Sequence, residues 1–239
     1  VTTPEHWFEP LAEHMGEAYL RYSFTKGTEN EVDFLVERLG LVPGHRVLDV
    51  GCGPGRHAHA LAARGIAVHG VDIAQRFVDL ANEHAPAGAT FERADARKLA
   101  FDAEFDVAIS LCQGGFGLVG DDDGAVLAGM ARAVKPGGAV AFSAFSAYFL
   151  VRHLEDTDAF DAGSGVNTEV TEVRDSDGVA MSAELHTSVF TPRELRLLCD
   201  RHGLAIDHVW AVTPGAYAAN PPDVDHPEWL IVARKRRAQ

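Results

Sequence analysis

Apolar residues along the chain follow two rhythms. Residues 46–50, 67–71, 104–111 and 139–145 are short apolar runs, long enough for strands and too short for helices. Residues 89–93 form a weaker run of the same kind. Between them, residues 29–39, 56–64, 75–84 and 122–134 repeat apolar positions at three- and four-residue spacing, the period of a helix with one buried face. Gly40 and Gly65 mark helix ends, Asp121 is placed to cap the helix 122–134, and Pro43-Gly44 and Pro136-Gly137-Gly138 mark turns. Strongly apolar strands alternating with helices predict a parallel sheet covered on both faces.

Both ends of the chain depart from this alternation. Residues 4–20 predict a helix with Trp7, Leu11, Met15 and Tyr19 four apart, and the polar segment 21–28 follows it. Beyond residue 150, segments 166–173 and 179–190 alternate polar and apolar positions around Asp175-Ser176-Asp177-Gly178, a hairpin signal. Thr191, Pro192 and Glu194 have the spacing of a capping box with proline in the first helical turn. Two last strands, 204–212 and 228–233, flank a Pro-, Ala- and Gly-rich loop, 213–227, and predict an antiparallel hairpin at the sheet edge. The expected fold is a single α/β domain. It has a Rossmann-like, seven-stranded, mostly parallel sheet with an antiparallel C-terminal strand, N-terminal cap helices and a β-hairpin lid. Its expected divisions are a cap (1–28), a core (29–145), a lid insertion (146–190) and a C-terminal completion of the sheet (191–239).

Composition narrows the classes of function. The formal charge of −14 disfavours a nucleic-acid partner, because phosphates are repelled overall. No apolar run approaches the ~20 residues that span a bilayer, and residues 1–9 show no leader pattern, so no membrane partner and a cytoplasmic location are expected. Cys52, Cys112 and Cys199 have no paired spacing, so neither a disulfide framework nor a zinc site is expected. His57 and His59, two apart on a helix, make a poor metal pair. The basic run Arg234-Lys235-Arg236-Arg237 reads as a solvated tail, with a local anion contact as the alternative. Oligomeric state is not legible.

The chemistry concentrates in Val47-Leu48-Asp49-Val50-Gly51-Cys52-Gly53-Pro54-Gly55, a strand running into a loop with glycine at every second position. Glycine suits sharp turns and places where a ligand touches backbone. The helix that follows has free N–H groups at its start, as in nucleotide-type pockets. Asp72 ends the next strand, where a carboxylate can accept from both hydroxyls of a ribose, and Asp95 follows the third strand, where one can accept from the adenine amine. Ile73 and Leu99 are apolar neighbours suited to sandwich a purine.

With these elements the chain resembles the class I S-adenosylmethionine-dependent methyltransferases. The resemblance rests on residues 47–55, Val71-Asp72, Ala94-Asp95-Ala96, Phe105-Asp106-Val107-Ala108-Ile109 and Val134-Lys135-Pro136-Gly137-Gly138. It implies S-adenosylmethionine as cofactor, S-adenosylhomocysteine as product, and methyl transfer to an O or N nucleophile of a small molecule. It also implies that backbone at Gly51, Cys52, Gly53 and Gly55 lies against the methionine portion, with Asp49 near its ammonium. Asp72 then holds the ribose, and Asp95 with the Ala96 N–H reads adenine. Leu111 offers its carbonyl to the ammonium. The alternatives are an NAD(P)-dependent oxidoreductase, since Gly53-x-Gly55-x-x-Ala58 fits the dinucleotide string, and a non-catalytic cofactor-binding protein.

Three segments are candidates for the acceptor side. Tyr22 and Phe24, between the N-terminal helices, are expected to cap the cofactor. After the fourth strand, Gln113 is expected to bond substrate or cofactor, and Phe116 to wall the pocket. No Asn/Asp-Pro-Pro-Tyr motif follows that strand, which speaks against methylation of DNA bases or protein glutamine. His186, on the predicted hairpin, is the candidate general base because its ordinary pKa is near neutral, and His153 is a weaker one. Asp121-Asp122-Asp123 reads as a helix start rather than a metal site.

Overall fold

A computed structural model describes residues 6–237; the side chain of Asp121 also lies outside the described residues. Helix α1 (Phe8–Met15) continues into a 3-10 turn over Gly16–Arg21, and α2 (Thr28–Leu39) stops at Gly40 in the left-handed conformation. The helix expected over 4–20 is therefore two pieces, and its first two residues lie outside the described residues. The alternating core follows: β1 (Arg46–Val50), α3 (Arg56–Ala63), β2 (Ala67–Asp72), α4 (Gln75–Glu83), β3 (Ala89–Arg93), β4 (Phe105–Ser110), α5 (Asp123–Ala133) and β5 (Val134–Ser146). Val47, Leu48, Val50, Ala108 and Ile109 are fully buried, each larger side chain contributing on the order of 1.5–3 kcal/mol of burial.

Next come α6 (Ala147–Arg152), β6 (Asp158–Asp161), β7 (Val166–Arg174), β8 (Ala180–Phe190) and α7 (Pro192–Arg201). The chain closes with β9 (Leu204–Thr213), β10 (Ala216–Asn220) and β11 (Glu228–Lys235). The strand order is β3-β2-β1-β4-β5-β11-β9-β10. β1 to β5 pair in parallel, whereas β11 runs antiparallel to both β5 and β9.

Three expectations shift. First, the antiparallel hairpin of β9 and β11 forms with β11 against β5, and β10, from the loop expected to be irregular, adds an eighth strand outside β9. Burial explains this, because β11 is apolar on both faces and needs a neighbour on each side. Second, the lid is three-stranded, since β6 pairs with the β7–β8 hairpin. The end of β8 also joins the main sheet through Phe145–Val189 and Ser146–Phe190. Third, α5 starts at Asp123 with Asp122 in the cap position. The capping box at Thr191 and Glu194 is formed. In the basic run, Arg234 bonds Asp207 at 2.9 Å and Arg236 pairs with Asp200, so the chain's own acids take these charges.

Candidate cofactor and acceptor site

The sheet's order reverses between β1 and β4, and in such sheets a crevice opens beyond the strand ends at that point. Here the loop after β1 meets the loop after β4. Gly51 (φ 72°) and Cys52 both donate backbone N–H to the Val71 carbonyl, at 2.8 and 3.0 Å, which folds the glycine loop back over β2. A Cβ on Gly51 would lie 1.9 Å from the Gly114 carbonyl carbon, so glycine is required there by contact between the two loops. A Cβ on Gly55 would likewise meet the His59 ring at 2.8 Å. Gly53 differs: its nearest side chains, Phe77 and Tyr19, stand 3.9 Å away across open space. Of the three glycines expected to make room for a ligand, Gly51 and Gly53 line the cavity, while Gly55 is set against His59. Cys52 turns its thiol into the core against Gly70 and lines no cavity.

Asp49, Asp72 and Asp95 are set at the ends of β1, β2 and β3. Asp49 is buried, and its Oδ2 has no hydrogen-bond partner. Burial pushes its pKa up to about 7, with the Arg56 charge opposing. Asp72 accepts from the Gly53 N–H at 2.8 Å and the Ala74 N–H at 2.9 Å. Burial still pushes its pKa up to about 6. Asp95 caps its own turn and is gripped by Arg97 through two bonds of 2.8 and 2.9 Å. Burial disfavours its charge, but Arg97 and Lys98 hold it down to about 2.

Two spaces meet at Asp72. The first is a slot of about 30 Å³, room for a water or two, walled by Asp72, Ile73, Asp95 and Ala96 on one side and Gly114 and Val119 on the other. The second is a cavity of about 380 Å³ that shares Gly51, Asp72 and Gly114 with the slot. Its roof is built jointly by α1, the 3-10 turns after it and the lid hairpin. Leu11 and Met15 pack with Phe77, Val173 and Ala183, the Tyr22 hydroxyl accepts from the Arg174 N–H at 3.4 Å, and His14 bonds the Val179 carbonyl at 3.0 Å. Tyr22, Phe24 and Gln113 line this cavity.

Leu111 is a core residue whose carbonyl accepts from the Gly114 N–H at 3.0 Å and keeps a second lone pair. Four other expectations do not match the geometry. Leu99 packs under Gly129 of α5 instead of flanking a purine. Phe116 is fully buried between Phe142 and Phe190, with ring centroids 4.7 and 5.0 Å away. His186, the candidate base, lies on the opposite face of β8 from Leu185 and Thr187, because neighbours on a strand point to opposite sides. It meets Glu184 at 3.1 Å and the edge of Trp7, outside the cavity. His153 lines an outer vestibule instead.

A buried polar hub underlies the glycine loop. Glu31, fully buried, accepts from Arg56 at 2.5 Å, His57 at 2.7 Å and the Gly215 N–H at 2.7 Å. Burial works against its charge, but His57 and Arg56 hold its pKa down to about 2. Glu31, His57 and Cys112 offer ligand-type atoms within 4.8 Å of one another. The Arg56 guanidinium bridges Glu31 and the Cys112 sulfur (2.9 Å), so the cation position is already filled.

Sequence reasoning missed Glu228. It opens β11, is 3% exposed and lines the cavity, and its Oε2 has no hydrogen-bond partner. Burial pushes its pKa up to about 7. The available signal was a lone acid at the head of an otherwise apolar, doubly buried strand, a costly placement without a partner. Trp7, read only as a helix position, lines the cavity as well, as do Phe8 and Phe77, to which the sequence reading gives no role.

Comparison with known proteins places this geometry. Residues 47–138 match the family described as "Methyltransferase domain". The ubiquinone biosynthesis O-methyltransferase of Alkalilimnicola ehrlichii is 36% identical over 115 residues, 47% of this chain and 46% of that enzyme. The chain thus matches about half the length of that relative. The cypemycin N-terminal methyltransferase of a Streptomyces species is 28% identical over 211 residues, 81% of this chain and 84% of that protein. Among solved structures, the CcbJ methyltransferase from Streptomyces caelestis superposes with a TM-score of 0.80 at 19% identity, over 98% of this chain and all of that one. Residues 47–138 thus match a methyltransferase domain, and the fold is shared with solved methyltransferases.

Proposed function

We propose that the protein transfers the methyl group of S-adenosylmethionine to an O or N nucleophile of a small molecule held in the roofed cavity. The observation that carries this reading is the adjacency of the two spaces, with Gly51, Asp72 and Gly114 lining both the adenosine-side slot and the aromatic cavity. The relatives include both an O-methyltransferase and an N-terminal methyltransferase, which supports a nucleophile of either kind.

The residues fit the cofactor. The buried, partnerless Asp49 Oδ2 is an acceptor suited to the ammonium group, and Asp72 and Asp95 present carboxylates along one slot for ribose and adenine. When bound, S-adenosylmethionine supplies a methyl carbon activated by a sulfonium leaving group. The chain's own contribution is alignment and exclusion of water by the aromatic roof. Adenosine is far larger than the slot, so the 112–119 loop must withdraw from Gly51 as it enters. That loop starts from Cys112 and Gln113, both at positive φ (50° and 56°), a conformation that costs side-chain-bearing residues roughly 1 kcal/mol each.

The test is to supply radiolabelled methyl donor with extract fractions and follow the label. The expected result is label in the low-mass fraction, lost with Asp72→Ala. Label confined to nucleic acid or protein, or none transferred, would refute the reading.

A further inference from the structure

The cavity wall carries Asp72, Glu172 and Glu228 and, among the described residues, no Lys, Arg or His. Glu172 is ion-paired with Arg174, and Asp72 is bonded to two backbone N–H groups. Glu228 alone is buried without a partner on Oε2. The rest of the wall is aromatic, with Trp7, Tyr19, Tyr22, Phe24 and Phe77.

The cavity shares Gln113, Leu185 and Thr187 with the wall of the outer vestibule, about 500 Å³ in volume. Glu155, Asp158 and Glu169 line the vestibule, with His153 as its basic side chain and, among the described residues, no Lys or Arg. Burial and the neighbouring charges of Asp158 and Glu155 raise the Glu169 pKa. The Oδ1 of Asn167, 6% exposed, also lacks a partner there, while its amide nitrogen donates to Asp158 at 2.7 Å. Both spaces therefore hold unpaired buried acceptors, and on each wall carboxylates outnumber basic side chains. Such a surface binds a cationic donor: acceptors left unpaired are costly, and aromatic faces attract cations.

We infer that the acceptor is an amine that enters as its ammonium ion, and that Glu228 receives it and takes its proton. This rests on the methyl-transfer reading above. An ammonium nitrogen has no lone pair and cannot attack carbon. When the N–H bond breaks, the proton passes to Glu228 Oε2 and the bonding pair stays on nitrogen as the nucleophile. Desolvation in the closed cavity lowers the ammonium pKa and raises that of the carboxyl, which brings the two towards a match. The groups facing Glu228 are Glu31 from α2, Arg56 from α3, Cys112 after β4, Ser143 on β5 and Tyr217 on β10. Arg56 is already committed to Glu31, and Thr28 shares it at 2.8 Å, which leaves the Glu228 charge for a ligand.

The experiment uses 2-phenylethylamine and 2-phenylethanol, similar in shape and different in charge, titrated calorimetrically into the protein saturated with S-adenosylhomocysteine. The amine should bind at least about tenfold tighter than the alcohol, the margin of one charge-assisted hydrogen bond. Its affinity should fall as the pH is lowered through about 7, because Glu228 then loses its charge. Glu228→Gln, of the same shape, should abolish both the preference and the pH dependence while leaving alcohol binding unchanged and the thermal midpoint at neutral pH no lower. Equal binding or no binding of the probes by the wild type, or a preference that survives in Glu228→Gln, would overturn the inference. If Glu228→Gln fails to fold, the wild-type pH dependence decides alone, and a flat profile overturns the inference. Failure of S-adenosylhomocysteine itself to bind would instead refute methyl transfer.

Discussion

Replacing Glu31 by Gln removes one charge from the hub beneath the glycine loop and turns the Oε2 acceptor shared by Arg56 and His57 into an amide donor. The amide keeps the side-chain shape and an oxygen for the Gly215 N–H. Arg56, whose side chain is only 9% exposed, is left with its charge buried and uncompensated. Stranding one member of a buried pair costs about 3–5 kcal/mol. In a chain of this size each kcal/mol moves the midpoint by about 2–4 °C, so thermal unfolding should drop by roughly 6–20 °C. Adding Arg56→Met should recover more than half of that loss, because the stranded guanidinium is its main source. The pH dependence has a definite sign. The folded Glu31 pKa is lowered to about 2, so its contribution is present above the unfolded value near 4.5 and is lost as pH falls towards 2. The wild-type-to-mutant gap in calorimetric midpoint should therefore narrow on acidification. A drop under about 3 °C at neutral pH, or no recovery in the double variant, would refute the view that this pair fixes α2, the glycine loop and the β9–β10 turn together.

Asp72→Ala should weaken S-adenosylhomocysteine binding by about tenfold or more in a calorimetric titration, the scale of losing charge-assisted bonds; unchanged affinity removes the ribose assignment. His186→Ala should leave kcat within about twofold, the range of a surface change away from the cavity, and a larger loss would contradict its position on the outer face of β8. Stability without ligand should fall as pH rises from about 4 to 7: Asp49, Asp72 and Glu228 have folded pKa values raised to about 7, 6 and 7, so the folded state holds the extra protons over that window. A chemical-denaturation series that is flat over this range would contradict their burial as acids. Hydrogen exchange over residues 112–119 should change on adding S-adenosylhomocysteine, since that loop has to leave Gly51; an unchanged pattern would refute the movement.

The parallel core was legible because its strands are apolar on both faces and its helices are periodic, and both signals are local. The limits of β1 and β3 follow from such runs alone. The position of β11 was not legible, because a hairpin pattern does not say which neighbour each strand pairs with. The short strands β6 and β10 were hidden in polar segments whose pairing is decided by distant partners. The same division runs through the site. Asp49, Asp72 and Asp95 follow from strand ends, since topology places every such end along one crevice. His186 was misjudged because the facing of a lid strand depends on how the hairpin docks. Glu228 was overlooked because only assembly brings the head of β11 to the cavity that α1 and the lid enclose.

The central claim is that the crevice between the β1 and β4 loops is a binding site for S-adenosylmethionine. Calorimetric titration of the whole chain with S-adenosylhomocysteine, with NADH and NADPH as controls, tests it most directly. Saturable one-to-one binding in the micromolar range, with no response to either nicotinamide nucleotide, is the predicted result. Saturable binding of NADH or NADPH with no heat from S-adenosylhomocysteine would contradict it.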